Sequence, residues 1–319
     1  MSVSLRAALC ASLLLWVTAG SVAAAGPPPP TAAAFERATD RLLADPAFAP
    51  GRAPGGGGGT GGETEFDDLL FPDNIYVTLY GAPQLPATEV GKSSPQEAAR
   101  KAVKQSKPYA RKGDRGTVPG IDLIGTVATA SPGPDGKYRT RQPDPVISTY
   151  LEATREVNGR LMLDIQPARS NVLNEIVALK KWIVEPDVDV AIDPEWNVGP
   201  KGVPGQDSGS ITANEINMAS LRLNRIVENE NLPPKVLIVH QFSKQMIKGR
   251  KAIKQRDGVQ VLLNFDGIGT PKAKEAGFMA LATKGLFNGF SIFYSLDTML
   301  VRPRTVLKLL PTVDFLLYQ

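Results

Sequence analysis

The chain has 319 residues, a formal net charge of +4, 42% hydrophobic residues, one cysteine and one histidine. That length and apolar content support a large buried core, while a lone cysteine excludes a disulfide framework and argues against a tight zinc site. Weak overall basicity without a recognition motif gives no support for nucleic-acid binding.

Residues 1–25 read as a secretory signal peptide. Met1–Ser4 and Arg6 form a short basic start, Ala7–Val17 is largely apolar, and Ala23-Ala24-Ala25 is a small-residue cleavage site before Gly26. An uncleaved N-terminal anchor is the alternative. Cys10 lies within the leader, so the mature chain has no thiol chemistry. Cleavage leaves no segment apolar enough to span a bilayer, and the expected location is secreted or extracytoplasmic, associated with the cell wall. Residues 26–65 form a low-complexity linker: a proline run at Gly26–Pro30, one possible helix at Ala33–Ala44, then the Pro- and Gly-rich tract Pro46–Gly62.

From residue 66 to 319, eight short apolar runs alternate with helical patterns. They are Ile75–Tyr80, Ile121–Ala128, Leu161–Gln166, Val188–Asp193, Val236–Gln241, Val259–Asp266, Gly289–Tyr294 and Val313–Tyr318. Strand–helix alternation implies parallel βαβ units, and eight of them imply a closed (β/α)8 TIM barrel. Helices are predicted over Ser94–Arg111, Pro145–Asn158, Asn171–Val184, Thr212–Asn229, Lys244–Gln255, Pro271–Thr283 and Pro303–Leu309. Ser94–Glu97 and Thr212–Glu215 fit capping boxes, and Pro145, Pro271 and Pro303 suit a first helical turn. The chain stops one residue past the eighth run, leaving either a thin wall there or one covered by Ala33–Ala44. Between Lys92 and Arg115, eight Lys or Arg face only Glu97 and Asp114. Such a run suits an anionic wall polymer, but without interleaved aromatics it reads as a solvated outer helix.

Strand side chains alternate between faces. With Leu161, Leu163 and Ile165 on the outside, Asp164 and Gln166 turn inward. By the same alternation Asp193/Glu195 and Asn264/Asp266 end the inner faces of their runs. Three strands thus place polar doublets at one barrel mouth, where buried charge can be wet. His240-Gln241 ends the fifth run, and His240 is the chain's only histidine. Arg169 is placed to hold a carboxylate or an anionic substrate group. Trp196 either offers a sugar ring a stacking face or packs under a loop. Tyr80 and Tyr318, on adjacent strands, are expected to close the mouth by hydrogen bonding. Innocent roles stand beside these: Asp266-Gly267 is a turn pair, Asp297 suits a loop or cap, and Asp164 is within reach of an Arg169 salt bridge. The turn-rich Gly199–Gly209 segment is either a flap over the cleft or an idle loop.

Two carboxyls of unlike pKa suit glycoside hydrolysis, which needs a proton donor and a base or nucleophile. Glu195 is the predicted acid, its pKa raised by Asp193, with Asp164 or Asp266 as the second carboxylate. Asp193-Pro194-Glu195 resembles the end of the Asp-x-Glu signature of chitinase-like, family 18 glycoside hydrolase barrels. That resemblance implies Glu195 as acid and Asp193 supporting a substrate-assisted mechanism, although the signature's earlier aspartate falls at Ala191. Leu163–Pro167, Ile192–Trp196, His240–Phe242 and Asp266–Gly269 resemble a set of secreted or lipoprotein-like actinobacterial proteins. This second likeness implies the barrel and an extracytoplasmic place, and it supplies no substrate. The expected protein is a monomer that acts without a cofactor on a polysaccharide or cell-wall glycan. The alternatives are a hydrolase using one divalent metal ion on Asp164, Asp193, Glu195, His240 and Asp266, and a non-catalytic carbohydrate-binding barrel.

Overall fold

The computed structural model describes residues 69–319. The predicted leader, the linker and the Ala33–Ala44 helix lie outside the described residues. In chain order the strands are β1 (Asn74–Gly81), β2 (Gly116–Ala128), β3 (Arg139–Arg141), β4 (Arg160–Ile165), β5 (Val188–Ile192), β6 (Ile211–Thr212), β7 (Lys235–Gln241), β8 (Ile247–Lys248), β9 (Val259–Phe265), β10 (Phe287–Ile292) and β11 (Phe315–Tyr318). β1, β2, β4, β5, β7, β9, β10 and β11 pair in parallel in that order. β11 then pairs with β1, so the sheet closes. The fold is a (β/α)8 TIM barrel, each of its eight strands overlapping one of the eight apolar runs, although β2 begins five residues before its run, at Gly116 rather than Ile121.

The alternating pattern sorts side chains into two layers. Val77, Leu79, Leu161, Leu163, Val188, Val190, Val261 and Leu263 face outward into the layer between strands and helices. Tyr76, Tyr80, Ile124, Met162, Ala191, Ile238, Leu262 and Leu317 fill the barrel interior. At the N-terminal end the interior is sealed by polar pairs. Arg160 grips Asp189 through two bonds of 2.7 and 2.9 Å, and the Gln260 amide bonds both the N–H and the carbonyl of Phe71.

The helices begin where the sequence signals them. Ser94 and Glu97 form a capping box ahead of Pro95–Lys112, and Thr212 and Glu215 another ahead of Ala213–Glu230. Pro145, Pro271 and Pro303 sit in the first turns of Asp144–Arg155, Pro271–Leu281 and Pro303–Val306. The basic helix Pro95–Lys112 packs Ala98, Ala99, Ala102 and Tyr109 inward, while Lys92 and Lys101 pair with Glu89. Among the described residues no helix is long and apolar enough to cross a membrane.

Three features depart from the sequence reading. Lys244–Gln255 is not a helix: Ile247–Lys248 pairs with Ile211–Thr212 and a 3-10 turn spans Arg250–Ala252. Gly249, at φ +71°, breaks the run in a left-handed conformation that glycine adopts at least cost. The short β3 went unseen because it is held by charge rather than apolar burial. Arg139 and Arg141 both bond the buried Glu175, which also accepts from Ser170.

Tyr318 is the third departure. It points outward, not into the mouth, and its hydroxyl lies 2.7 Å from that of Tyr109 on the helix Pro95–Lys112. The residues facing inward from β11 are Phe315 and Leu317. Tyr318→Phe is therefore expected to cost about 1 kcal/mol in urea unfolding, the worth of one buried hydrogen bond.

Candidate functional site at the barrel mouth

β4, β7 and β9 carry Asp164, His240 and Asn264 on their inner faces near the C-terminal ends, and Gln166, Asp266 and the turn Pro194–Trp196 follow directly after strands. His240 is the hub. Its Nδ1 lies 2.9 Å from Asp266 Oδ2, and a carboxylate only accepts there, so Nδ1 carries a proton. The other ring nitrogen, Nε2, lies 3.9 Å from Asp122 Oδ2, too far for a hydrogen bond but close for opposite charges. The second oxygen of Asp266 accepts from Asn264 Nδ2 at 2.6 Å and from the Ser291 hydroxyl. Gly289 makes room for this cluster: a Cβ there would lie 2.4 Å from Asn264 Oδ1.

Asp122 and Ser291 were not singled out in the sequence. A signal for Asp122 did exist. It lies between the outward-facing Ile121 and Leu123, so alternation alone turns it inward. Ser291 likewise sits between outward Phe290 and Ile292, but a lone serine carries no charge to draw notice.

The carboxyls are electrically coupled. Burial pushes Asp164 up to about 6, helped by Asp266 and opposed by His240. Burial and then Asp164 raise Asp122 well above the ordinary carboxyl range. Asp193 is raised in the same way, by burial first and then by Asp164. Glu195 is pushed up to about 7 by burial and by the charge of Asp266. Asp193 and Glu195 also repel one another, an interaction that raises Asp193. For His240, burial works against the charged form, but Asp266, Asp164 and Asp122 together outweigh it and raise its pKa well above the usual value. Asp164, Asp193, Glu195 and Asp266 are thus brought within reach of one another's charge.

Other predicted residues are occupied with structural tasks. Gln166 accepts from the Ala128 amide at 2.9 Å and donates to the Tyr80 hydroxyl at 3.1 Å, joining three strands at the mouth. Neither oxygen of Asp164 makes a hydrogen bond of normal geometry, although the Tyr80 hydroxyl and Ile165 amide lie near enough to lower its pKa. Gln241 is buried, and its carbonyl accepts the Asp266 amide.

Arg169 does not reach Asp164 or the mouth. Its guanidinium donates to the carbonyls of Gly202 and Lys201 and stacks 4.0 Å from the Tyr138 ring. That contact ties down the Gly199–Gly209 segment, as does the Gly209 amide on the Glu195 carbonyl. Trp196 is half-buried at the end of the 3-10 turn, whose first amide is capped by Asp193. Among the described residues no three His, Asp or Glu side chains are placed to hold one metal ion, so the divalent-ion alternative gains no support from their geometry.

No protein-family profile matches the chain, and no curated protein matches it significantly. Similar solved structures exist. One is a protein assigned as an alpha-L-fucosidase from Bacteroides thetaiotaomicron VPI-5482, at 12% identity and a TM-score of 0.36, covering 82% of this chain and 91% of that one. Another is a sugar phosphate isomerase/epimerase from Parabacteroides distasonis ATCC 8503, at 11% identity and a TM-score of 0.32, covering 77% and 86%. Likenesses at this level carry no weight for function.

Proposed function

We propose that this chain is a secreted glycoside hydrolase acting on cell-envelope polysaccharide, with Glu195 as proton donor and Asp266 as the second carboxylate. One observation carries the reading: two carboxyls at the same mouth are held in opposite circumstances. Glu195 makes no side-chain hydrogen bond to an anion-stabilising donor, and burial and Asp266 push it up to about 7. Asp266 accepts from His240, Asn264 and Ser291, the partners that suit a carboxylate anion. Glycoside hydrolysis uses such a division: Glu195 gives its proton to the leaving oxygen, and Asp266 takes one from the attacking water. The leader-like residues 1–25 support the extracytoplasmic part. Asp193, whose Oδ1 accepts the Glu195 amide at 3.2 Å, fixes the turn that presents the acid.

The test is reducing-end release from envelope glycans as a function of pH. A Glu195 raised to about 7 keeps its proton two or more units above an ordinary glutamate, so turnover should persist to neutrality. It should then fall above pH 7 as the acid deprotonates. Turnover that keeps rising through pH 9 would remove Glu195 from the donor role.

A further inference from the structure

Around the floor of the mouth, the buried polar atoms left without a partner are almost all of one kind. Both oxygens of Asp122, both of Asp164 and Oδ1 of Asn264 are acceptors that lack a hydrogen bond of normal geometry; the donors nearest them are the Tyr80 hydroxyl and Ile165 amide by Asp164 and His240 Nε2, 3.9 Å from Asp122. Asp122, Asp164 and Asn264 are fully buried. The lone unpartnered donor is His240 Nε2. Folded cores seldom leave so many acceptors unmet, because each unsatisfied group costs free energy. These atoms suit an occupant that brings hydrogens.

Charge narrows the choice. Asp122, Asp164, Asp193, Glu195 and Asp266 face one another across the mouth with His240 as the cation among them. Tyr80 adds only a neutral hydroxyl, which accepts from Gln166 and has its own hydrogen left for Asp164. The other nearby cations are turned away: Arg169 holds loop carbonyls and Lys274 is paired with Asp297. A neutral polyol supplies hydrogens without charge. An N-acetyl group adds a carbonyl acceptor to a site already crowded with acceptors, and an anionic sugar is repelled. A protonated amine supplies both hydrogens and charge.

We propose that the mouth takes a glycan of amino sugars carrying free, protonated amines, with the ammonium seated on Asp164 and with Asp122 one layer deeper. The layering follows the strand register, in which Asp164 lies opposite Ile124 and Asp122 opposite Met162. This substrate class rests on the glycoside-hydrolase reading above. It carries a pH signature, because protons compete with the amine. Burial holds Asp164 at about 6, so acidification below that value refills the carboxyl and weakens amine binding.

The experiment is calorimetric titration of the full chain at pH 7.5 with tetramers of glucosamine and of galactosamine, their N-acetylated counterparts, and cellotetraose. The amine-bearing oligomers should bind at least about tenfold tighter, the worth of one charge-assisted hydrogen bond. The preference should shrink at pH 5 and vanish in Asp164→Asn, with Asp122→Asn as a second variant and thermal unfolding confirming that both fold. Equal or tighter binding of the acetylated or neutral oligomers overturns the proposal, as does no binding of any. Calcium ion that raises the melting temperature where amino sugars do not also overturns it, assigning the acceptors to a metal. Cleavage separates this inference from the one beneath it. Glu195-dependent hydrolysis of a neutral glycan leaves the hydrolase standing and the amine site fallen; amine-selective binding without cleavage of any glycan does the reverse.

Discussion

Glu195→Gln is expected to lower kcat on a cleaved glycan by about 10²–10⁴-fold, the usual worth of a positioned general acid. The amide keeps the size and polarity of the side chain but has no proton to give. Binding should therefore survive, and KM should move little. The alkaline limb near pH 7 should disappear with the group that causes it. A leaving group that departs unaided, such as a nitrophenolate, should recover most of the lost rate, because it needs no protonation. A Glu195→Gln variant that retains full turnover on an unactivated glycan would remove Glu195 from the donor role, and the absence of turnover in the unaltered protein on every glycan would return the site to the binding-barrel reading.

The largest stability effect is expected away from the chemistry, at a fully buried ion pair. Lys274, on the helix Pro271–Leu281, lies 2.5 Å from Asp297, and neither side chain is exposed. Asp297 also accepts the Gly269 and Phe293 amides, so one carboxylate fixes the loops that follow β9 and β10. Asp297→Ala strips Lys274 of its counter-charge and leaves the ammonium among Phe290 and Phe293. Breaking such a pair from one side costs about 3–5 kcal/mol, a large share of the roughly 5–15 kcal/mol that holds a domain folded. Replacing both partners, Lys274→Met with Asp297→Asn, should recover much of that loss, since no orphaned charge remains. Urea unfolding of the two variants beside wild type measures both effects. A single variant within 1 kcal/mol of wild type, below the roughly 3 kcal/mol floor for a broken buried pair, would show that water reaches Lys274.

The same pair marks where reading along the chain stops. Asp297 alone suits a loop or a cap, and its partner lies 23 residues upstream. Only the docking of the helix onto β10 makes the two meet. Arg169 shows a similar limit: three residues past Gln166 it is within reach of Asp164, yet carbonyls at 201 and 202 claim it. A long side chain on a loop takes its direction from whatever segment packs beside it.

Tyr318 went to the wrong face for a different reason. Phe315-Leu316-Leu317-Tyr318 is apolar or aromatic throughout, so its alternation carries no label for inside and outside. Where a strand mixes types the label is plain. Met162 between leucines, Asp164 between Leu163 and Ile165, and Asn264 between Leu263 and Phe265 turn inward as their neighbours require.

By itself, the sequence determined the eight strands, their parallel order around helices with legible caps, and the inner-face Asp164 of β4 and Asn264 of β9. Those are consequences of local periodicity and backbone chemistry, which need no knowledge of distant partners. The tertiary structure alone decided that His240 bridges towards Asp122 and Asp266, that the charge of Asp266 reaches Glu195, and that the floor of the mouth is lined with acceptors. Those depend on which strands meet across the closed barrel, and electrostatic and hydrogen-bond partners are set by distance in space, not by separation along the chain.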